Sequence, residues 1–554
     1  MEELIASKIR KVKTHLLPTT IPLHLYKYIA LVADLDTLRL ALVPRPGSQA
    51  QRDKFTSLAR ASSHLQSIST TPRGKKRAKK TMEFVANGKV ILFLLFVSTS
   101  VLIVSPASPP RFHYINPHNF TTPASSSSSA SASAVHRSRN NNNPSLSLVH
   151  RDAISGATYP SRRHQVVGLV ARDNARVEHL EKRLVASTSP YLPEDLVSEV
   201  VPGVDDGSGE YFVRVGVGSP PTDQYLVVDS GSDVIWVQCR PCEQCYAQTD
   251  PLFDPAASSS FSGVSCGSAI CRTLSGTGCG GGGDAGKCDY SVTYGDGSYT
   301  KGELALETLT LGGTAVQGVA IGCGHRNSGL FVGAAGLLGL GWGAMSLVGQ
   351  LGGAAGGVFS YCLASRGAGG AGSLVLGRTE AVPVGAVWVP LVRNNQASSF
   401  YYVGLTGIGV GGERLPLQDG LFQLTEDGAG GVVMDTGTAV TRLPREAYAA
   451  LRGAFDGAMG ALPRSPAVSL LDTCYDLSGY ASVRVPTVSF YFDQGAVLTL
   501  PARNLLVEVG GAVFCLAFAP SSSGISILGN IQQEGIQITV DSANGYVGFG
   551  PNTC

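Results

Sequence analysis

Two short segments, about 200 residues apart in the chain, carry the residue types best suited to acid–base chemistry. They are Leu226–Ser232, with the sequence LVVDSGS, and Val432–Thr438, with the sequence VVMDTGT. In each, an apolar run ends in an aspartate, Asp229 or Asp435, which a hydroxyl residue, a glycine and a second hydroxyl residue follow. A single aspartate after a strand is most often a turn residue. The matched pair instead indicates an internal duplication, in which each of two lobes presents one carboxylate.

The pair of aspartates predicts one kind of hydrolysis. Two carboxyl groups held close together cannot both ionise, so they share one proton over a broad acid range. The ionised group takes a proton from a bound water, while the protonated group hydrogen-bonds the carbonyl under attack. The water attacks directly, so no covalent intermediate with the protein forms. This chemistry implies no metal ion and no organic cofactor, and we expect its rate to peak below neutral pH.

The residues that follow each aspartate are predicted to hold the carboxylates in place. Gly231 and Gly437 allow each turn to run close to its counterpart, since glycine has no side chain to obstruct the approach. Four hydroxyl groups are available as hydrogen-bond donors that fix the carboxylates, those of Ser230, Ser232, Thr436 and Thr438.

The composition around these segments favours short strands over long helices. The chain holds 68 glycines and only 15% charged residues, which suits many strands joined by tight turns. Short β-branched or aromatic segments bounded by turn residues recur from Gly209 to Phe549, beginning with Tyr211–Val217, Gln224–Val228 and Val234–Val237. The clearest helical window is Arg445–Met459. At 554 residues the chain is too long for one core, so we expect an all-β fold with more than one lobe.

Charge is divided unevenly along the chain. The net charge is +2, yet residues 1–200 hold 27 basic and 13 acidic residues, while residues 201–554 hold 16 basic and 28 acidic residues. A basic N-terminal part raises the question of nucleic-acid binding, but no RNA- or DNA-binding pattern accompanies it. A cationic prosegment that covers an anionic mature domain fits this division better, with no nucleic-acid partner.

The cysteines also indicate where the folded part lies. All 12 fall between residues 239 and 554, and an even number confined to one part predicts disulfides and an oxidising compartment. A metal cluster is the alternative for Cys239, Cys242 and Cys245, because C-x-x-C spacing also suits zinc. No second C-x-x-C or histidine pair follows to complete four ligands, so we expect disulfides and no metal site.

The first 108 residues are typical of a protein that enters the secretory pathway. Residues 82–108 contain the apolar run Val90–Val104 and then small residues and prolines, which is the layout of a signal peptide. We therefore expect translation to start at Met82, and residues 1–81 to be a gene-model extension that ends in the basic run Arg73–Lys80. The alternative is a type II membrane anchor with this basic run in the cytoplasm.

Residues 109–208 are interpreted as a propeptide. The Ser- and Asn-rich stretch Ser125–Ser147 cannot bury a core and is expected to be disordered. Apolar spacing from about Val166 to Val185, in a segment dense in arginine and glutamate, predicts an amphipathic basic helix. This helix is either a solvated linker or an inhibitory prosegment bound to the acidic mature domain. We expect the propeptide to be cleaved between Ser198 and Gly209.

The remainder of the chain resembles the pepsin-like aspartic peptidases, in particular the plant nepenthesin-type branch that includes the proteins called aspartic protease in guard cell. Beside the aspartate pair, Ala335–Gly341 and Ile525–Asn530 are similar to the strands that thread beside each catalytic loop in that family. Ile538–Phe549 is similar to the family's last strands. The resemblance implies a bilobal pepsin-like fold, with lobes at residues 209–388 and 389–554 and an active-site cleft between them.

The same resemblance implies roles for individual residues. Asp229 and Asp435 correspond to the catalytic pair. The segment from residue 290 to residue 298 is similar to the flap hairpin that covers the substrate, with Tyr294 as the flap tyrosine and Gly295 beside it. Trp236 matches the tryptophan that lies behind that tyrosine, and a buried indole needs a partner for its N–H group.

A disulfide pattern follows from the resemblance, although the sequence alone leaves thousands of connectivities open. Four cysteines lie in a Gly/Ser-rich insertion between the first aspartate and the flap, as in nepenthesins. The implied pairs are Cys239–Cys242, Cys245–Cys323, Cys266–Cys288, Cys271–Cys279, Cys362–Cys554 and Cys474–Cys515.

The function implied is that of an aspartic endopeptidase. Its partners would be polypeptide substrates, pepstatin-type inhibitors and its own propeptide, and we expect a monomer. We expect the protein in the extracellular space (the apoplast), with the vacuole, the endoplasmic reticulum or a membrane anchor as alternatives. The alternative function is that of a catalytically silent binding protein or inhibitor with the same fold.

One departure from the family pattern bears on that alternative. The first turn has Ser230 where most relatives have threonine, so it keeps the hydroxyl group and loses a methyl group that restricts the side-chain rotamer. We expect the hydrogen bond from Ser230 to the Thr436 turn to form, with weaker preorganisation of the site and retained activity.

Overall fold

The structure is a computed structural model. It describes residues 111–119, 145–151, 159–186, 211–274, 276–280, 286–294, 297–329, 331, 333–352, 356–365, 372–377 and 385–550. The chain divides into two compact units, 1–107 and 108–554, and all of the described residues belong to the second. The expected leader and the expected cleavage segment between Ser198 and Gly209 lie outside the described residues.

Two strands and one α-helix precede the expected first lobe in the described part of the chain. They are strand β1 (Phe112–Ile115), strand β2 (Ser145–His150) and helix α1 (Arg162–Ala186). Helix α1 confirms the helix predicted from apolar spacing, and it extends a few residues further toward the N-terminus than predicted. In the described parts of the chain, no helix is both long enough and apolar enough to cross a membrane.

Strand β2 corrects one prediction. Ser145, Leu146 and Ser147 belong to the stretch expected to be disordered, but they lie in a strand that pairs with residues 372–375. The pattern of residues 145–148 explains why, because the serines are exposed while Leu146 and Leu148 are buried. Alternation of this kind anchors one face of a strand in a core. The Ser-rich composition concealed it.

The first lobe consists of β-strands with two short helices. Its strands are β3 (Tyr211–Val217), β4 (Thr222–Asp229), β5 (Trp236–Gln238), β6 (Ser262–Gly263), β7 (Thr277–Gly280), β8 (Lys287–Thr293), β9 (Tyr299–Leu311), β10 (Thr314–Ser328), β11 (Gly336–Gly339), β12 (Val358–Cys362) and β13 (Gly372–Leu376). Its helices are α2 (Ala269–Thr273) and α3 (Leu347–Leu351).

The second lobe has the same character and contains the predicted helix at residues 445–459. Its strands are β14 (Val387–Val392), β15 (Tyr401–Val403), β16 (Leu405–Val410), β17 (Glu413–Arg414), β18 (Val432–Met434), β19 (Thr441–Leu443), β20 (Arg464–Ser465), β21 (Cys474–Asp476), β22 (Val483–Pro486), β23 (Val488–Phe492), β24 (Val497–Thr499), β25 (Leu506–Gly510), β26 (Val513–Leu516), β27 (Phe518–Pro520), β28 (Ser526–Leu528), β29 (Gln537–Asp541) and β30 (Tyr546–Phe549). Its helices are α4 (Arg445–Met459) and α5 (Asn530–Gln533).

The two aspartate segments have equivalent surroundings, as an internal duplication requires. Strand β4 runs parallel to β11, which places Gly339 opposite Asp229. Strand β18, which leads to Asp435, runs parallel to β28. These partner strands are the two apolar-apolar-glycine segments singled out in the sequence, so the prediction that each threads beside one aspartate turn is confirmed.

A sheet shared by the lobes joins them beneath these turns. Strand β12 of the first lobe pairs with β29 of the second, β29 pairs with β30, and β30 pairs with β14. Strand β2 continues the sheet on the other side, between β13 and β3. The bilobal, all-β organisation predicted from the sequence is confirmed.

The disulfide pattern differs from the one implied by the resemblance. The structure joins Cys239–Cys323, Cys242–Cys245, Cys266–Cys279, Cys271–Cys288 and Cys474–Cys515. The last pair is confirmed, and its two residues are directly opposite each other on β21 and β26. Cys362 is also disulfide-bonded, and its predicted partner Cys554 lies outside the described residues.

The predicted pairs Cys239–Cys242, Cys245–Cys323, Cys266–Cys288 and Cys271–Cys279 are therefore wrong. The reason is strand register. Strand β5 runs parallel to β10 and brings Cys239 beside Cys323, with their Cα atoms 5.3 Å apart, a separation that a disulfide spans. Helix α2 places the Cα of Cys271 5.8 Å from that of Cys288. Spacing in the sequence carries no information about this register.

Single-cysteine variants test the new pattern. Cys279→Ser should leave Cys266 as a free thiol, and Cys323→Ser should leave Cys239 free, because each loses the partner that the strand register provides. Alkylation without reduction, followed by peptide fragmentation, locates the label. Labelling of Cys271 in the first variant and of Cys245 in the second would support the earlier pairing.

Candidate active site

The two aspartates meet at the junction of the lobes, each at the end of a buried strand. Asp229 is the last residue of β4 and Asp435 follows β18 directly. Their relative exposures are 1% and 0%. Apolar residues on both strands are buried in the core, so each carboxylate lies in surroundings from which water is largely excluded. Ionised carboxylates are costly in such surroundings unless donors surround them.

The turns that follow the aspartates are tied to each other across the lobes. The backbone N–H of Ser230 donates to the Thr436 hydroxyl at 3.1 Å, and the N–H of Thr436 donates to the Ser230 hydroxyl at 3.0 Å. The Thr436 hydroxyl also donates to the carbonyl of Val228 at 3.2 Å. The predicted hydrogen bond from Ser230 to the Thr436 turn is confirmed, and it is one of a reciprocal pair.

Each carboxylate receives the same two donors from its own turn. The hydroxyls of Ser232 and Thr438 donate at 2.6 Å to the Oδ2 atoms of Asp229 and Asp435 respectively. On the Oδ1 side, the N–H groups of residues 231 and 437 donate at 3.0 and 3.1 Å. All eight predicted residues of the two turns therefore lie together. The hydroxyls of Ser232 and Thr438 bind the carboxylates as predicted, whereas those of Ser230 and Thr436 bond backbone groups and link the two turns.

A cation from helix α1 occupies the space between the aspartates. Nη2 of Arg176 lies 2.6 Å from Oδ1 of Asp229 and 2.9 Å from Oδ1 of Asp435, and Nε lies 2.9 Å from Oδ2 of Asp435. The Arg176 side chain is 6% exposed. One guanidinium thus bridges both carboxylates with charge-assisted hydrogen bonds, the strongest class available to protein side chains.

This cation shifts the ionisation of its partners. Burial by itself acts to raise the pKa of Asp435, but the charge and hydrogen bonds of Arg176 outweigh it, with help from the donors Thr438 and Gly437. The pKa of Asp435 therefore lies below its ordinary value. Burial acts to lower the pKa of Arg176, and the two carboxylates overcome that effect and raise it. Arg176 and Asp435 therefore stabilise each other in their charged forms.

Glycine is required in both turns by close approach. A Cβ atom at Gly231 would lie 2.8 Å from Oδ1 of Asp435, and one at Gly437 would lie 2.3 Å from Cζ of Arg176. Contacts this short do not occur in real structures. The glycines therefore leave the space in which the guanidinium lies.

The predicted flap residues form an aromatic cluster beside the first turn. The indole N–H of Trp236 donates to the hydroxyl of Tyr294 at 2.7 Å, so the expected partner for the buried indole is found. Phe331, which the sequence gave no reason to single out, packs edge-on against the Trp236 ring at a centroid distance of 5.0 Å. The hairpin closes through the N–H of Tyr294, which donates to the carbonyl of Ser298 at 2.7 Å. Gly295 lies outside the described residues.

Two acidic residues of helix α1 make polar contacts with the second lobe. The carboxylate of Asp173 accepts hydrogen bonds from the N–H groups of Ala439 and Val440, and it lies 2.7 Å from Nη2 of Arg442. The carboxylate of Glu181 accepts hydrogen bonds from the N–H and the hydroxyl of Ser522. Asp173 and Arg176 lie in the segment 171–176, which resembles a plant propeptide motif, but no sequence signal marked their partners or Glu181.

Apolar residues of the helix fill two pockets on either side of Arg176. The first pocket takes Val166, Leu169 and Val170 against a cluster that includes Val440 and Leu471. The second takes Val177 and Leu180 against a cluster of Ala397, Phe400, Tyr402, Val433, Ile525 and Ile527. Helix α1 is therefore docked along the second lobe, and the interpretation as a solvated linker is excluded for the residues in these contacts.

Two family models match the part of the chain that forms the lobes. They are described as "Xylanase inhibitor N-terminal", matching residues 211–378, and "Xylanase inhibitor C-terminal", matching residues 400–551. Together they cover more than half of the chain.

Curated relatives carry a different kind of name. The Arabidopsis thaliana protein named Aspartic Protease in Guard Cell 2 is 61% identical over 416 residues, which is 74% of this chain and 87% of that protein. Aspartic proteinase nepenthesin-2 from Nepenthes gracilis is 42% identical, over 63% of this chain and 78% of that protein.

Solved structures support the fold. The crystal structure of basic 7S globulin from soybean matches with a TM-score of 0.51 and 21% identity, over 63% of this chain and 94% of that chain. Identity this low shows a shared fold and carries nothing about activity.

Substitution of Ser230 tests the bonds between the turns. Ser230→Ala removes the hydroxyl that accepts the buried N–H of Thr436, and an orphaned buried donor costs about 1–3 kcal/mol. We expect a thermal unfolding midpoint lower by several degrees. Ser230→Thr keeps the hydroxyl and serves as the matched control, with a midpoint at or above that of the wild type. Equal midpoints for Ser230→Ala and the wild type would contradict this account.

Proposed function

This chain belongs to the pepsin-like aspartic peptidases, and from that membership we propose that it is an endopeptidase that activates water between Asp229 and Asp435. The relatives at 61% and 42% identity are named as aspartic protease and aspartic proteinase. One observation carries the catalytic assignment, namely that Nη2 of Arg176 bonds Oδ1 of both aspartates at once. The space that a shared water requires is therefore present and bounded by both carboxylates.

The chemistry follows from the donors around that space. With Arg176 absent, two buried carboxylates so close together hold one proton between them. The ionised one takes a proton from the shared water while the protonated one donates to the scissile carbonyl. The hydroxyls of Ser232 and Thr438 hold the outer oxygens and leave the Oδ1 atoms for the water. Tyr294, oriented by its bond to Trp236, is assigned to cover the substrate.

Helix α1 is proposed to be the inhibitory part of a propeptide. Arg176 occupies the site of the catalytic water, and Val166, Leu169, Val177 and Leu180 occupy apolar pockets along the second lobe. A substrate cannot reach the aspartates until the helix leaves. The same pockets support a preference for apolar residues in a substrate that binds as an extended strand.

Low pH is expected to release the helix, because the direction of the pH dependence follows from the pKa of Asp435. Its pKa is lowered in the docked state, so its pairing contributes stability that is fully present above the ordinary aspartate value near 3.8 and is lost as pH falls through the lowered one. Arg176 stays charged throughout, so the carboxylates decide the transition. Protonation of Asp435 thus removes one of the two charged partners of Arg176 and favours release of the helix.

The alternative of a catalytically silent binding protein has some support in the names of the matching family models. Two observations favour the enzyme. Both aspartates and both turn glycines are present with equivalent hydrogen bonds, and Ser230 retains the bonds that threonine would make. Secretion, with the extracellular space as destination, is part of the proposal and is supported by the disulfides.

The first experiment is cleavage of a denatured protein by the secreted, acid-treated protein, from about pH 2 to about pH 8. We expect an acidic optimum, inhibition by pepstatin, and loss of activity in Asp229→Asn, because the asparagine cannot supply the ionised group. Its control is Asp419→Asn, which changes the same group at an exposed position of the second lobe. No cleavage by folded, processed protein would favour the binding protein.

Substitution of Arg176 tests the propeptide. Arg176→Gln removes the cation that bonds both aspartates, so the full-length protein should cleave a fluorogenic peptide at about pH 6 without acid treatment, at least tenfold faster than the wild type. Arg163→Gln is the matched control, since it removes the same charge from an exposed position on the same helix. Equal activity of the two variants would remove Arg176 from the inhibitory mechanism.

A further inference from the structure

A carboxylate-binding site lies beside the second aspartate turn, formed by residues of the second lobe. In the described structure it holds the carboxylate of Asp173. Its donors are the backbone N–H groups of Ala439 and Val440, the latter at 3.3 Å. The guanidinium of Arg442 adds a positive charge, with its Nη2 atom 2.7 Å from the carboxylate in an ion pair. All four residues are at least 97% buried. Two N–H groups and one cation suit a carboxylate better than they suit any neutral side chain.

The site belongs to the lobe and does not depend on the helix for its shape. Arg442 lies in β19, whose register is set by β27 on one side and β28 on the other. Its Nη1 donates to the carbonyl of Val440 at 3.0 Å, which orients the guanidinium toward the turn. Ala439 follows Thr438, the residue that holds Asp435. The donors therefore remain in place when the helix is removed.

Removal of the helix leaves these donors without their anion. A buried guanidinium that has lost its partner is strongly destabilising, so a replacement carboxylate gains most of what Asp173 provided. Asp173 lies three residues before Arg176 on one helix, about 4.5 Å along its axis. That distance is about one to two residues of an extended chain. A substrate that passes the aspartates as a strand brings a side chain to this site.

We propose that Ala439, Val440 and Arg442 form a subsite for a side-chain carboxylate, which gives the mature enzyme a preference for aspartate or glutamate close to the scissile bond. The inference rests on the proposed function, in which helix α1 leaves and a peptide takes its place. In the propeptide, Asp173 then occupies the position that an acidic side chain of the substrate would take. A chain-terminal carboxylate has the same chemistry and would produce an exopeptidase.

Matched peptides test the subsite with the wild-type mature enzyme. A set of amidated peptides places Asp or Asn in turn at each of the three positions on either side of one scissile bond. We expect kcat/KM to favour Asp over Asn about tenfold or more at one position, as a charge-assisted bond requires, and to be equal elsewhere. Peptides with a free C-terminus distinguish the exopeptidase source. A ratio of one at all positions, with cleavage intact, overturns the subsite and leaves the proposed function standing.

The variant that tests the subsite is Arg442→Gln. In this variant, the ratio of kcat/KM for the Asp peptide to kcat/KM for the Asn peptide should fall to about one. Arg452→Gln is the matched control, because Arg452 lies on α4 and pairs with Asp472, and it should keep the wild-type ratio. If Arg442→Gln does not fold, the wild-type mature enzyme is inhibited with synthetic peptides of residues 162–186. Asp173→Asn in that peptide should weaken inhibition about tenfold. Equal inhibition overturns the subsite.

A binding measurement separates the proposed subsite from the proposed catalytic function. Calorimetry with Asp229→Asn, processed to the mature form, measures affinity for the Asp and Asn peptides in the absence of cleavage. An Asp preference in binding with no cleavage by the wild type would support the subsite and overturn the proposed function. Equal affinity together with equal cleavage overturns the subsite alone.

Discussion

Repulsion between two buried carboxylates is the constraint on which the rest of this structure depends. Asp229 and Asp435 are almost fully buried, and like charges in such surroundings separate or lose a proton unless the protein opposes them. The reciprocal bonds between the Ser230 and Thr436 turns fix the separation. Those bonds exist only because two lobes with equivalent loops face each other across a shared sheet. The fold as a whole holds the Ser230 turn and the Thr436 turn opposite each other.

The same repulsion explains why helix α1 carries an arginine at this point. Its guanidinium supplies a positive charge to two negative ones, and its geometry allows one nitrogen to bond both inner oxygens. A lysine carries the charge on a single nitrogen with no planar fork, so it cannot reproduce this arrangement. The helix thereby stabilises a pair of carboxylates that would otherwise share a proton. If helix α1 inhibits the enzyme as proposed, inhibition and stability come from the same contact.

The helix is attached unevenly to the two lobes. Its apolar residues and the carboxylates of Asp173 and Glu181 contact the second lobe, whereas Arg176 reaches across to Asp229. Anchoring on one lobe leaves the ion pair at the dyad as the contact that spans both. In the proposed activation, protonation of Asp435 weakens this link at the aspartate pair, while the apolar pockets still hold the helix on the second lobe.

The sequence by itself determined the two aspartates and their matched turns, because these follow from local residue order. It also determined the strands around them and helices α1 and α4, since these depend on periodicity and on nearby residue types. The Trp236–Tyr294 pair was implied by the family resemblance. The tertiary structure alone decided the disulfide pairing, because strand register brings Cys239 to Cys323 past nearer cysteines. It alone selected Arg176 from several arginines of the helix and joined Asp173 to Arg442, 269 residues away in the sequence. Contacts at such separations depend on how whole elements pack, and no local pattern of residues encodes that packing.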